Sequence, residues 1–410
     1  MKLTPISVDA LSIGQPLPYS LWDREGVLLA QKGFVVLNRD ELESLVGQRQ
    51  TLYIDTVDSE IHRRAYMSKL HELVREDIPL GQIADSQFSS FEMAAARDTT
   101  TNDNANWFDL QAQAHAMLRD KNPATFLPRL EKLQVQLSHQ TRVNPDGALL
   151  ALIHLSSSEM KMYSATHALL VAVMCCIAAR EVLKWPASLD PTLCKAALTM
   201  NLSMTELPDR LAQQKEQLGA EQKRQVGQHA IRSVVLLEQF GVTDEVWLEA
   251  VLDHHSKVTG PLAPRTQGQR IARLIQRADV FSACLAPRAG RVPATSTAAM
   301  KACYFDETRQ MDEAGAALIK TVGIYSPGSF VRLNNNELAV VIKRGANTTT
   351  PRVAVLINRE GMPTGEMMVR DTQQPDYRIV ASVAHREVKV GLNLERLLVL
   401  TKPTASDRPW

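Results

Sequence analysis

Tyr163-Ser-Ala-Thr-His167-Ala-Leu-Leu170-Val-Ala-Val173-Met174-Cys-Cys-Ile177-Ala-Ala179 is the stretch on which the reading of the fold turns. Leu170, Val173, Met174 and Ile177 follow at spacings of three and four, which puts them on one face of an α-helix. The pattern recurs on both sides. Leu130, Leu133 and Leu137 repeat it upstream; Val226, Ala230, Val234 and Leu237, then Ile271, Leu274, Ile275 and Ala278, repeat it downstream. Pro128 suits the first turn of the helix that carries the upstream set. Amphipathic segments in series from Trp107 to about Val322, with no alternating β-branched run among them, predict an all-α bundle.

The flanks read differently. Residues 1–60 predict a small N-terminal α+β domain. Pro18–Asp23, Val27–Gln31, Phe34–Leu37 and Thr51–Ile54 are β-prone runs, and Asp23-Arg-Glu-Gly26 has the chemistry of a hairpin turn. Asn38 suits the N-cap of a helix running to about Val46. Residues 61–106 predict an amphipathic helix and a polar linker ending in Asp98-Thr-Thr-Thr-Asn-Asp-Asn-Ala-Asn106. The helical domain then occupies 107–325, and 326–410 form a C-terminal β-rich extension and tail. In the extension Ser329–Leu333, Glu337–Ile342 and Arg352–Ile357 read as strands, and Leu392–Leu400 is mixed. The fold class expected is therefore multidomain and mainly α.

Composition narrows the function. Of 410 residues 45% are apolar, enough for a full-sized core. With 46 Lys and Arg against 45 Asp and Glu the net charge is +1, which argues against a non-specific grip on duplex nucleic acid or an anionic membrane. The first ten residues lack the apolar region of a secretory signal. The longest apolar run, Ala168–Ala179, is well short of the ~20 residues of a spanning helix. The five cysteines form no CxxC pair, as expected of reduced core residues in a cytoplasmic protein.

Chemistry enters where polar groups sit on apolar stripes. His167 lies three residues before Leu170, His229 three after Val226, His254 and His255 seven and eight after Trp247, and Asp279 four after Ile275. One histidine on such a face is more often a satisfied core residue than a ligand. Adjacent residues on a helix differ by ~100° in direction, so His254 and His255 serve one centre only if it is wide. A buried carboxylate is costly unless it is paired, hydrogen-bonded or metal-bound. Together these five residues point to a site in the bundle core.

In this order the residues resemble the HD-GYP domain, a subclass of the HD phosphohydrolases. The likeness runs from about Asp146 to Leu333. It rests on Tyr163…His167-Ala-Leu-Leu-Val171-Ala172, on His229 after Leu218-Gly-Ala-Glu221, and on Val251-Leu-Asp-His254-His255. It continues through Arg270-Ile271 with Arg277-Ala-Asp279-Val-Phe281-Ser-Ala283, and closes with Gly323-Ile-Tyr325-Ser-Pro-Gly-Ser329-Phe-Val-Arg-Leu333. The resemblance implies a bacterial cyclic di-GMP signalling protein whose active relatives hydrolyse that messenger at a di- or trinuclear iron or manganese centre. It also implies that Arg288 and Arg291, three apart, hold the ligand's phosphates. Residues 6–55 faintly resemble the small β domains that precede HD-GYP or PilZ modules.

Two defining elements are replaced. Where the family has His-Asp-x-x-Lys the chain reads Met200-Asn201-Leu-Ser-Met204, and after His255 it runs Ser256-Lys-Val-Thr-Gly260-Pro-Leu with no Gly-Tyr-Pro. Hard divalent ions want imidazole and carboxylate; a thioether and a neutral amide offset no repulsion between two cations. Without the ion pair nothing lowers the pKa of an attacking water. No catalytic residue is therefore expected at Met200, Asn201 and Met204. The expectation is a degenerate domain acting by binding cyclic di-GMP or a partner protein. His167, His229, His254, His255 and Asp279 are left either as a polar core or as ligands for residual iron or manganese below full occupancy. The alternatives are a phosphodiesterase with a reduced metal site, or an adaptor that binds neither nucleotide nor metal.

Overall fold

The structure is a computed structural model that describes residues 3–6, 21–22, 28–30, 52–55, 106–158, 162–214, 216–289, 293–365 and 367–403. The chain divides into two compact units, 1–103 and 104–410.

In the first unit β1 (Leu3–Ile6), β2 (Leu21–Trp22), β3 (Leu28–Ala30) and β4 (Leu52–Asp55) form an antiparallel sheet in the order β1-β4-β2-β3. β2 and β3 sit inside the β-prone runs, and β4 overlaps its run and extends one residue beyond it. β1 was not anticipated because Pro5 interrupts it; as an edge strand it tolerates a residue without an N–H. The expected strand at Phe34–Leu37, the helix from Asn38, the helix beyond residue 61 and the linker up to Ala105 lie outside the described residues.

The second unit is the helical bundle. It runs α1 (Trp107–Leu118), α2 (Pro123–Val143), α3 (Pro145–Ser158), α4 (Tyr163–Glu181), α5 (Asp190–Thr199), α6 (Glu206–Gln213), α7 (Ala220–Gln239), α8 (Glu245–Asp253), α9 (Gln267–Leu285), α10 (Ser296–Tyr304) and α11 (Glu313–Val322). Two sequence expectations are corrected here. α2 starts at Pro123, behind an Asn122 side chain that accepts from the Ala124 N–H at 3.1 Å, so Pro128 lies inside the helix. Pro128 and Ala124 are both exposed, and water can satisfy the Ala124 carbonyl that the ring leaves unbonded. On α7 the buried stripe is His229, Ser233 and Leu237, with Val226, Ala230 and Val234 only half-buried. The stripe is turned because His229 and Ser233 have partners in the core.

α4 is the centre of the bundle and is buried on every side from Tyr163 to Ala179, packed by α1, α3, α5, α9 and α11. With 19 residues it is, among the described residues, the one helix long and apolar enough to cross a bilayer, although the apolar run alone is shorter. Its apolar window is 89% buried by the surrounding protein, so its hydropathy is spent on the core.

After α11 come β5 (Phe330–Leu333), β6 (Leu338–Lys343), β7 (Arg352–Ile357), β8 (Val369–Asp371), β9 (Ile379–Val383) and α12 (Leu394–Thr401). The sheet is antiparallel in the order β8-β7-β6-β5-β9. Its two faces are separated by the alternation of the strands. Phe330, Leu338, Val340 and Ile342 join one core with the helices, while Val331, Leu333, Ala339, Val341 and Val353 pack on the other side. The Gly323–Ser329 segment leads into this sheet. Gly328 has φ +86°, and a Cβ there would stand 2.7 Å from the Leu150 carbonyl oxygen on α3. Gly328→Ala should therefore cost about 2 kcal/mol or more, read as a lower urea midpoint at unchanged m-value.

Candidate functional site

Three imidazoles meet where α7 and α8 approach each other. Asp244 caps α8 by accepting from the Trp247 N–H at 3.1 Å, and the buried Trp247 donates to Thr199 Oγ1 at 2.9 Å. These contacts fasten α8 to α5 and set the angle at which its C-terminus delivers His254 and His255. His229 is buried, His254 is fully buried and His255 is exposed. His229 Nδ1 lies 2.5 Å from the Val226 carbonyl oxygen and His254 Nδ1 2.7 Å from that of Val251. A carbonyl only accepts, so each Nδ1 carries the proton and each Nε2 a lone pair. The two Nε2 atoms face each other at 3.0 Å. One nitrogen from each of the three histidines lies within 4.8 Å of the others. Burial lowers the pKa of His229, and it lowers that of His254 to about 3, helped by the neighbouring His255 and His229.

His167 and Asp279 form a separate pair between α4 and α9. His167 Nε2 is 2.7 Å from Asp279 Oδ1 and His167 Nδ1 is 2.9 Å from Ser282 Oγ. Both ring nitrogens are thus engaged. Burial raises the pKa of Asp279, but the His167 hydrogen bond and charge, with His255 and His254 beyond, outweigh it and bring it to about 2. The Tyr163 ring stacks on His167 at 5.5 Å and 15°. Arg288 lies over the other side of the network and donates to Tyr163 Oη at 3.1 Å. Ser156, Tyr163, Thr166, His167, Ser282 and Ala286 line a shallow cleft there. Arg291 lies outside the described residues. Ser282 and Tyr163 were not read from the sequence as site residues. Helical spacing held the signal, since Ser282 is three residues after Asp279 and Tyr163 four before His167.

The end of α5 packs against α8, and the turn that follows it against α7. Met200, its C-cap, is fully buried, and Asn201 and Met204 are half-buried. The Asn201 Oδ1 atom is buried without a hydrogen-bond partner. The loop after His255 is tied to itself by two guanidinium groups. Arg265 donates to the Val258, Gly260 and Pro261 carbonyls, and Arg270 to those of Leu262, Ala263 and Arg265.

Residues 149–315 match the HD domain family. A curated relative, the cyclic di-GMP phosphodiesterase PA4108 of Pseudomonas aeruginosa, is 25% identical over 229 residues, which is 54% of this chain and 55% of the relative. The chain thus spans about half the length of the curated relative it matches. Among solved structures, Bd1817, an HD-GYP-type protein from Bdellovibrio bacteriovorus, aligns with a TM-score of 0.43 at 13% identity, covering 77% of this chain and 98% of that one. The chain carries an HD domain, all of it within the helical bundle. More narrowly, its motifs resemble those of the HD-GYP subclass.

The residues present do not fit a centre of two adjacent ions. No carboxylate stands at Asn201, Met200 offers a soft sulfur, and His167 and Asp279 are taken up by each other and by Ser282. The three clustered histidines fit a single ion.

Proposed function

We propose that this is a bacterial, cytoplasmic signalling protein whose HD-GYP domain binds cyclic di-GMP, or a partner protein, without hydrolysing it. The observation that carries the reading is the end of α5, where a buried Met200 and a neutral Asn201 stand in place of the histidine and bridging carboxylate. A dinuclear centre supplies the hydroxide nucleophile by lowering the pKa of a bound water. Here the remaining groups can hold and orient a ligand. Arg288, held against Tyr163, presents a guanidinium suited to phosphate. A phosphate would compete with the Tyr163 phenol for it, and a charge-assisted bond is roughly twice as strong as a neutral one.

Calorimetry with cyclic di-GMP, and chromatography of the same mixture after hours of incubation, test this. The expected result is micromolar binding without product, and at least ~10-fold weaker binding for Arg288→Ala. Turnover accompanied by about two iron or manganese ions per chain would replace the reading with that of a phosphodiesterase. The absence of nucleotide binding would favour an adaptor that works through protein contacts alone.

A further inference from the structure

We propose that His229, His254 and His255 form a mononuclear metal site that takes one late first-row divalent ion, zinc in preference to manganese, while the His167–Asp279 half of the pocket takes none. The inference rests on reading this pocket as an altered HD centre. It does not depend on whether nucleotide is hydrolysed.

The first argument is the facing lone pairs. Val226 and Val251 hold the Nδ1 protons, so His229 Nε2 and His254 Nε2 both point lone pairs across 3.0 Å. Two acceptors so close repel unless something positive lies between them. A proton can join two nitrogens, but the cluster has a third, since a His255 nitrogen falls within the same 4.8 Å group. Three imidazoles converging on one place is a metal-ligand arrangement. Two nitrogens each ~2.0–2.1 Å from one ion stand ~3.0–3.4 Å apart, and the spacing found is 3.0 Å. The bonds from Nδ1 to backbone carbonyls fix ring orientation and tautomer, as supporting contacts do around metal-bound histidines. The exposed His255 gives an ion a way in from solvent.

The second argument concerns number and kind. The donors that converge are neutral, three imidazoles. Imidazole sets suit zinc and the later metals, whereas manganese prefers carboxylate oxygen, and intrinsic affinity also rises from manganese towards zinc. Asp279, whose charge reaches both His229 and His254, already accepts from His167, whose other nitrogen is bonded to Ser282. A second ion would have to break both bonds and would find no anion at Asn201 to share with the first.

The full chain, stripped with chelator and titrated separately with zinc and manganese chloride, provides the test. Elemental analysis after desalting gives the stoichiometry, and the melting temperature gives an independent readout. One zinc per chain is expected, bound at least ~100-fold more tightly than manganese and raising the melting temperature. His254→Ala should lose at least ~100-fold in zinc affinity, and His167→Ala should keep one zinc within about 3-fold. His254 is buried, so His255→Ala, an exposed change that leaves the core intact, serves if the first variant does not fold. Two ions per chain, a preference for manganese, no uptake, or zinc that survives both His254→Ala and His255→Ala as an adventitious surface ion would each overturn the proposal. Turnover of cyclic di-GMP with one zinc bound would overturn the proposed function and leave the site standing.

Discussion

Arg344→Met is expected to lower the stability of the 104–410 unit by about 3–5 kcal/mol, seen as a fall of about 5–10 °C in melting temperature. Arg344 follows β6 and its side chain is 4% exposed. Its Nε donates to Asp146 Oδ1 at 2.9 Å, its Nη1 to Glu181 Oε2 at 2.8 Å and to the Thr321 carbonyl at 2.9 Å, and its backbone N–H also reaches Asp146 at 3.0 Å. One guanidinium therefore ties the ends of α3, α4 and α11 to the sheet. Burial raises the pKa of Asp146, and the Arg344 charge opposes that rise. Without the cation two half-buried carboxyl groups face each other, and Asp146 must take up a proton or the segment must open. The triple variant Arg344→Met, Asp146→Asn, Glu181→Gln should regain a large part of the loss, because replacing a whole buried ion set is far cheaper than removing one member. A urea midpoint for Arg344→Met equal to that of the unchanged protein would show that the sheet is held by apolar packing alone.

The other large effect is a gain. Met200→His, Asn201→Asp and Met204→Lys together should bring metal content to about two per chain and raise cyclic di-GMP hydrolysis at least ~100-fold above the unchanged protein. The carboxylate at position 201 would supply the anion between two ions, and the imidazole at 200 a borderline donor in place of sulfur. The buried, unpartnered Asn201 Oδ1 shows that the position accepts an oxygen without displacing an existing bond. The lysine at 204 would add a cation for the phosphate. His167 and Asp279 would exchange their mutual bond for the ion. A variant that folds, shown by an unchanged circular dichroism spectrum, yet stays free of metal would mean that the histidines are core residues.

Much of this architecture was legible in the residues. The helices of 107–322 could be read because buried positions recur at the helical period, and α4 and α9 are buried where Leu170, Val173, Ile271 and Ile275 said they would be. Edge strands such as β8 and β9 were not legible. Only three and five residues long, with exposed Val369 and Val380, they lack the alternation that marks a half-buried strand. The stripe on α7 was misplaced because periodicity weighs apolar side chains, whereas His229 bonds the Val226 carbonyl and Ser233 bonds Ser203.

By itself the sequence determined the helical class, the order of the histidines and Asp279, and the loss of charge at Asn201. These are local properties, carried by residue type and spacing. Only the tertiary structure decided that His229, His254 and His255 share one point while His167 closes on Asp279 and Ser282, and that Arg344 is the buried tie between sheet and bundle. The His167 and Arg344 pairings join residues more than a hundred positions apart, and His229 and His254 come from two different helices. They depend on the angles at which whole helices pack, and no period along the chain encodes those angles.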